Sequence, residues 1–446
     1  MSRSAKITGL VLLACLALGL RVWVVQALWT EPAWPLGYEH GPIAVNLLAG
    51  RGFSVEFLGQ NGPTSQQAPF YPFLLAGAYA CFGVATPAAV AAVQWLQCLA
   101  GTALVLAVVW LTWSLVPDRP GVGWIAGFGA AVFPTHLYMV THLQVAVWAA
   151  LFLTLLLAVV VSPRWRATWS GAALAGGLGG VLLLIEPILC LALPVCALVF
   201  WLGEAAARRW SWAALGRLAA MAGVALLVIA PWLVRNRLVH GEFVFIKSTF
   251  GYAFWQGNHP LSWGTDKVPQ PSAEALRQDH DGTLREMNHA MWNARYKTLY
   301  IDDLVFQPYG YGQFAGLSEP QRSRRLGRQA WQYVRDDPAR YGRLCLQRLR
   351  YFLLFDETNP KAANGLYRVT TVIWLLLAVG GILVSLRRWR ALWPTYTIFG
   401  LVLLFHSLVI VSARFRIPVE PLSFVWAALA AAALLSPFFL RRATDG

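Results

Sequence analysis

Ionisable side chains are scarce in this sequence, and most of those near its long apolar runs stand at one end of them. Only 13% of its 446 residues are charged. Arg21, in the outer half of the first run, is the one charge well inside a run. Glu186, Arg235, Arg368 and Glu420 stand at run ends, and Arg414 and Arg416 fall in the short loop before the last run. A guanidinium binds phosphate oxygens in bidentate geometry and stays charged under all ordinary conditions. Arg235, Arg414 and Arg416 therefore either grip bulk lipid phosphates at an interface or hold the phosphate of one particular lipid-linked substrate. Glu39 lies just before a short run opened by Pro42, where the positive end of a helix favours an ionised carboxylate. That is also the place of an ordinary helix-start carboxylate. The aromatic stretch from Phe250 to Trp263 suits the apolar face of a sugar and equally suits a membrane interface.

The elements that must position these residues are membrane spans. Hydrophobic residues make up 57% of the chain, whereas a soluble protein carries roughly a quarter charged residues. Several runs reach the ~18 residues that cross a bilayer. Ten spans are predicted, at 7–29, 88–116, 122–140, 143–162, 170–186, 187–203, 214–234, 366–386, 393–411 and 420–440. With the N-terminus inside, every inner segment carries Arg: Arg119; Arg164 and Arg166; Arg208, Arg209 and Arg217; Arg387, Arg388 and Arg390; and Arg441 and Arg442. That is the positive-inside pattern, and it accounts for much of the net charge of +15 without nucleic acid.

Two long segments, 30–87 and 235–365, are then external. They divide the chain into an N-terminal transmembrane module (1–234, with the first external loop), an external segment (235–365) and a C-terminal transmembrane module (366–446). The expected fold class is an all-α polytopic membrane protein with about ten transmembrane helices, short interfacial helices and a mainly helical external segment. The run from Pro69 to Gly83 is too short to span and reads as an interfacial helix. Asp336-Asp337-Pro338 reads as a cap and first-turn proline opening a helix to about Phe355. Arg340, Arg343 and Arg350 share one face of that helix, Tyr341, Cys345, Leu349 and Phe352 another, and Arg348 falls near the apolar side.

The six cysteines form no C-x-x-C, so neither a redox pair nor a zinc site is indicated. The eight histidines are scattered, without H-x-x-x-H. The apolar stretch after Arg3 and Lys6 is long for a signal peptide and reads as an uncleaved anchor. No cofactor is expected, and the external carboxylates leave room for a divalent metal.

Four stretches resemble the C-type superfamily of membrane glycosyltransferases, in the branch with protein mannosyltransferase-like, aminoarabinose transferase-like and bacterial lipopolysaccharide-sugar transferase enzymes. The first runs Gly37-Tyr38-Glu39-His40-Gly41-Pro42-Ile43-Ala44 and on through Asn46-Leu47-Leu48 to Gly50-Arg51-Gly52-Phe53. The second is Gly62-Pro63-Thr64, with Ala68-Pro69-Phe70-Tyr71-Pro72 and Phe82-Gly83. The third is Pro231-Trp232-Leu233-Val234-Arg235-Asn236, with Gly241 and Gly257-Asn258. The fourth is Ala413-Arg414-Phe415-Arg416-Ile417-Pro418-Val419-Glu420-Pro421. Their order and topology agree along nearly the whole chain.

The resemblance implies transfer of a sugar, with inversion, from a polyprenyl-phosphate donor to a lipid, glycan or protein acceptor outside the cytoplasm. The expected setting is a bacterial inner membrane with both termini cytoplasmic. The family places its catalytic acid, usually aspartate, in the first external loop. Here the first aspartate is Asp118, and the loop offers Glu31, Glu39 and Glu56. Glu39 stands in the matching motif and is the candidate base. Arg235, Arg414 and Arg416 are the candidate ligands of the donor phosphate. His40, Tyr71, Glu186 and Asn258 are candidate substrate contacts, Glu186 standing where many relatives carry arginine.

Elementary chemistry fits this division of labour. A glycosyl phosphate already has a good leaving group, so one base for the acceptor proton and cations for the departing phosphate suffice. The rival expectation is a non-catalytic flippase or carrier of lipid-linked sugars. A carrier needs a polar path through the membrane, which the sparse mid-span polarity does not supply.

Overall fold

A computed structural model describes residues 2–28, 38–206, 212–268 and 283–442. Glu31 lies outside these described residues. Each of the ten predicted spans coincides with helix. The first helices are α1 (Arg3–Ala27), α4 (Pro87–Leu115), α5 (Pro120–Val132), α6 (Pro134–Met139), α7 (Ala146–Val161) and α8 (Trp169–Ile185). They continue with α9 (Ala192–Ala206), α10 (Trp212–His240), α16 (Gly365–Val384), α17 (Trp389–Leu408) and α18 (Glu420–Arg442). Five apolar helices, Arg3–Ala27, Pro87–Leu115, Trp212–His240, Gly365–Val384 and Leu386–Leu408, are long enough to cross a bilayer unaided. The chain is an all-α polytopic membrane protein.

Local chemistry explains the boundaries. Thr86 caps α4 by accepting the Ala89 N–H, with Pro87 in the first turn, and Asn364 caps α16 through the Tyr367 N–H. The span predicted at 122–140 is broken. Pro134 has no N–H to donate and disfavours helical geometry at Phe133, so α5 stops at Val132 and α6 starts afresh. Pro187 likewise opens a short 3₁₀ turn, Pro187–Leu191, before α9. Gly176 and Gly180, one turn apart on α8, let α10 approach so closely that a Cβ at Gly176 would meet the Met221 carbonyl.

The remaining elements gather at one end of the bundle. They are α2 (His40–Leu48), a hairpin of β1 (Ser54–Phe57) and β2 (Gln60–Pro63), α3 (Phe70–Phe82) and α11 (Phe250–Asn258). Following these come α12 (Leu284–Tyr296), α13 (Ile301–Phe306), α14 (Glu319–Asp336) and α15 (Pro338–Leu353). The sequence reading did not include the hairpin. Its register pairs Ser54 with Pro63 and Phe57 with Gln60, and its two-residue turn places Leu58 (φ 52°) and Gly59 (φ 73°) in the left-handed region. At the opposite end, Arg388 holds both carboxylate oxygens of Asp118 at 2.7 and 2.6 Å. Arg21 is fully buried and donates to the Ala17 and Ala130 carbonyls.

Candidate active site

The first loop is tied to α10 and α14 before it can present anything. Arg235, near the end of α10, donates to the Thr64 carbonyl (2.6 Å), Ser65 Oγ (3.0 Å), Asn236 Oδ1 (3.1 Å) and the Phe53 carbonyl (2.8 Å). Its guanidinium also lies over the Phe53 and Trp232 rings. Glu319 at the start of α14 accepts from Thr64 Oγ1 (2.6 Å), the Ser65 N–H (2.7 Å) and Ser248 Oγ (2.5 Å), while Arg322 donates to the Phe57 carbonyl. Arg235 was expected on a donor phosphate, and the structure places it on loop acceptors instead. Arg235→Met is expected to destabilise the protein by about 3 kcal/mol, because charge-assisted bonds vanish and buried acceptors are left bare. Faster proteolysis within 38–66 is the corresponding measurement.

Within the held loop, Tyr38 adopts φ 56°, a conformation that side-chain-bearing residues rarely take. It turns the chain directly into α2, with Glu39 at the N-cap position. The Glu39 carboxylate caps nothing and is exposed, with no hydrogen bond or ion pair among the described residues. His40 beside it is buried (5% exposed), its ring edge-on to Tyr71 at 5.1 Å and its Nδ1 without a partner. Burial, then the nearby cations of Lys247 and Arg414, push the imidazole well below its usual range, so His40 is neutral. Tyr71 donates to Gln97 Oε1 (2.7 Å), and Gln97 in turn donates to the Val140 and His142 carbonyls. Tyr71 thus braces His40 against the bundle.

Arg414 is exposed, makes no hydrogen bond among the described residues, and stacks its guanidinium over Phe415. Its charge reaches both His40 and Asp266. Asp266 is a residue the sequence reading missed, as are Lys247, Lys267, Asp302 and Asp356. Burial works to raise the Asp266 carboxyl, but the Lys267 ammonium at 2.5 Å outweighs it and, with Arg414, holds the acid below its ordinary range. Burial raises Asp356, whose Oδ1 accepts from the Thr358 N–H and hydroxyl. Asp302 accepts from Tyr252 (2.7 Å) and Gln256 (3.3 Å), and Tyr252 feels the charges of Asp302 and Glu39. Asp266 and Lys267 are neighbours in sequence, as are Asp302 and Asp303, and Asp356 and Glu357, but none of them belongs to a motif whose spacing announces a site. Among the described residues no group of three or more His, Cys, Asp or Glu is placed to hold a metal ion.

The other expected site residues lie in the frame. Asn258 is buried, donates to the Phe254 carbonyl and accepts from Arg348 at 2.7 Å. Arg348, whose place on the apolar side of α15 looked anomalous, is wholly buried and also donates to the Gly257, Ser407 and Leu408 carbonyls. Arg416 is 3% exposed, donates to Glu420 at 2.5 Å and to the Phe352 and Leu353 carbonyls at 2.9 and 2.8 Å, and lies over the Trp374 ring. Glu186 follows the last residue of α8, half-buried and with its side chain unbonded among the described residues. The charge of Arg414 therefore acts on His40, the neighbour of Glu39, while Arg235, Arg416 and Asn258 are bonded to protein.

A pH effect follows from the end of α11. His259 Nδ1 accepts the Leu261 N–H at 3.2 Å, and burial followed by Arg340 lowers its pKa to about 4. The unfolded chain takes up this proton near 6.5. Stability thus rises with pH between the two values and is lost as pH falls from 6.5 towards 4. His259→Asn keeps an acceptor but removes the titration. Its unfolding midpoint is expected to lose less between pH 7 and pH 5, by the equivalent of about 1 kcal/mol after solvent screening.

Helices of these lengths, closed at one end by a tethered loop and a helical segment, define a class of polytopic membrane protein with a terminal polar site. No protein-family model matches the sequence. A search of curated proteins likewise finds no match. Solved structures do match. The archaeal oligosaccharyltransferase AglB from Archaeoglobus fulgidus, in complex with an inhibitory peptide and a dolichol-phosphate, aligns with TM-score 0.55 and 16% identity over 100% of this chain and 52% of its own. The Archaeoglobus fulgidus oligosaccharyltransferase tethered with an acceptor peptide aligns with TM-score 0.54 and 15% identity over 99% of this chain and 51% of its own. ArnT from Cupriavidus metallidurans bound to undecaprenyl phosphate aligns with TM-score 0.42 and 14% identity over 98% and 80%. The chain spans about half the length of the oligosaccharyltransferase it matches. At these identities the likeness is one of fold: the chain shares the fold of the archaeal oligosaccharyltransferase.

Proposed function

We propose that the chain is a membrane glycosyltransferase that moves a sugar, with inversion, from a polyprenyl-phosphate donor to an acceptor at the extracytoplasmic face. In this reading the chain sits in a bacterial inner membrane with its termini in the cytoplasm. Glu39 takes the proton from the acceptor hydroxyl as that oxygen attacks the anomeric carbon. The bond from that carbon to the phosphate oxygen breaks, and the electron pair leaves with the polyprenyl phosphate. Arg414 and Lys247 offset the growing negative charge. The observation that carries the reading is the exposed carboxylate of Glu39, without a hydrogen bond among the described residues, next to a buried neutral histidine on which the charges of Lys247 and Arg414 act, while Arg235 and Arg416 donate to protein acceptors. The fold shared with an enzyme solved with a dolichol-phosphate supports it.

The test is release of polyprenyl phosphate from a panel of polyprenyl-phosphate sugars by the purified chain in proteoliposomes, with lipid, glycan and peptide acceptors supplied. Acceptor-dependent release is expected. Movement of intact donor across the bilayer without cleavage would overturn the reading in favour of a carrier.

A further inference from the structure

The end of the bundle away from Glu39, where Arg388 meets Asp118, holds a space that sugar transfer does not use. A cavity of about 790 Å³ lies there among the ends of four helices. Leu115 closes α4 and Val161 closes α7, while Leu202 and Gly203 stand near the end of α9 and Trp389 opens α17. Val161 and Val199, each 8% exposed, belong to its walls. Leu198, Leu202 and Trp389 also line it and are 45%, 46% and 55% exposed, so they surround its mouth. Three large apolar side chains around an opening are unfavourable in water and at ease in hydrocarbon. The mouth therefore faces the bilayer.

The rim is cationic. Among the described residues that line the space, Arg166 and Arg390 carry charge and no carboxylate joins them. They come from distant parts of the chain, Arg166 from the helical turn Pro163–Arg166 after α7 and Arg390 from the first turn of α17. Each is held by its surroundings. A Cβ on Gly203 would strike the Arg166 guanidinium, so α9 admits that arginine because a glycine faces it. Arg390 lies over the Trp389 ring at 5.8 Å. Trp389 and Trp393, one turn apart, both border the cavity, and tryptophan is favoured at headgroup depth. The positive-inside pattern accounts for arginines at this end of the molecule. It does not account for two of them converging on one apolar cavity.

We propose that this cavity binds one anionic phospholipid of the leaflet opposite Glu39, which is the cytoplasmic leaflet in the orientation given above. The phosphate lies between Arg166 and Arg390, whose guanidinium groups suit its oxygens. An acyl chain fills the space between α9 and α17 and leaves past Leu198 and Leu202. Net negative charge is selected because the rim offers no carboxylate to the ammonium of a zwitterionic headgroup. A lipid seated in this way joins the ends of four helices and stabilises the folded bundle by mass action. The site is independent of sugar transfer.

The full chain in mixed micelles would be titrated with phosphatidylglycerol against phosphatidylcholine, and retained lipid counted by native mass spectrometry. Wild type is expected to keep one phosphatidylglycerol in tenfold excess phosphatidylcholine, and its unfolding midpoint should rise as the site fills. Arg166→Met and Arg390→Met should each weaken retention at least tenfold, and Arg390→Lys should recover part of it. Arg390 is exposed, so its replacement leaves the fold intact. Arg387→Met removes another exposed charge at the same end and should change nothing. In wild type, a photoreactive phosphatidylglycerol should crosslink to residues 198–203 or 389–394, a readout independent of how the variants fold. Equal retention of phosphatidylcholine would overturn the proposal by marking ordinary boundary lipid. A loss in Arg387→Met as large as that in Arg390→Met would overturn it by showing diffuse surface charge. Displacement of the lipid by millimolar inorganic phosphate would overturn it in favour of a soluble anion, and its exclusion by a dimer in favour of a second copy of the chain.

Discussion

Replacing Glu39 by Gln is expected to lower sugar transfer at least a hundredfold while leaving the unfolding midpoint of the protein where it was. The two halves of that result have separate causes. General base catalysis contributes roughly 10²–10⁴-fold to rate, and an amide of the same shape cannot accept the acceptor proton. The carboxylate, however, is exposed and unbonded among the described residues, so its loss removes no structural contact seen there. Glu39→Asp should retain part of the activity, since aspartate is the residue usual at this point in the resembling enzymes. Its carboxylate would sit one methylene short of the position that Tyr38 and α2 set. Arg414→Met should lose less than Glu39→Gln, because Lys247 remains near the departing charge. The measurement is the initial rate of polyprenyl phosphate release at saturating acceptor, paired with a thermal melt. Wild-type rate in Glu39→Gln would move the base to another group, with Glu186 the next to test.

The span pattern was legible because hydrocarbon imposes length, and a run such as Pro87–Leu115 admits no other use. Breaks within spans were less legible. Pro134 was visible, but proline is tolerated in membrane helices when neighbours satisfy the freed groups, so its presence alone did not predict that α5 would end. The hairpin was hidden for a different reason. Its turn puts Leu58, a residue seldom found at positive φ, where asparagine or glycine would have announced it. Tertiary contact forces that choice: a Cβ on Gly59 would strike Tyr311, and Arg322 takes up the Phe57 carbonyl.

The arginines show most clearly what charge and depth alone leave open. Arg235, Arg414 and Arg416 look equivalent in sequence, being cations near headgroup level. Which of them is available to a ligand depends on carbonyls far away along the chain, at Phe53 and Thr64 for Arg235 and at Phe352 and Leu353 for Arg416. Arg348 gave a better signal. A guanidinium on the apolar side of an amphipathic helix must find acceptors, and it does so at Gly257, Asn258 and Leu408. No comparable signal singled out Lys247, an isolated charge, or Asp266, an adjacent pair with Lys267, because charges in a loop are ordinarily solvated.

Arg416→Met should cost about 3–5 kcal/mol of stability, the largest loss expected from one substitution at this end of the molecule. Glu420 is fully buried at the start of α18, held by Arg416 on Oε1 and by His136 Nε2 on Oε2 at 3.0 Å. Removing the guanidinium leaves that carboxylate with the imidazole alone, and strips the Phe352 and Leu353 carbonyls at the end of α15 of their donor. Coulomb attraction is strong here because water is absent, and the same absence makes an unpaired partner expensive. The coupling has a signature that a simple packing loss lacks. Removing both charges in Arg416→Met/Glu420→Gln should be less damaging than the sum of the two single substitutions, by about 1–3 kcal/mol. Equality with that sum would mean that the arginine stabilises α15 and α18 independently. Unfolding in mixed micelles at fixed detergent gives the four values of the cycle. Since Arg416 lies two residues from Arg414, the single variant should also weaken polyprenyl phosphate binding by loosening the loop that aims Arg414. Arg416→Lys keeps the charge but cannot span Glu420 and two carbonyls at once, so it should recover only part of both losses.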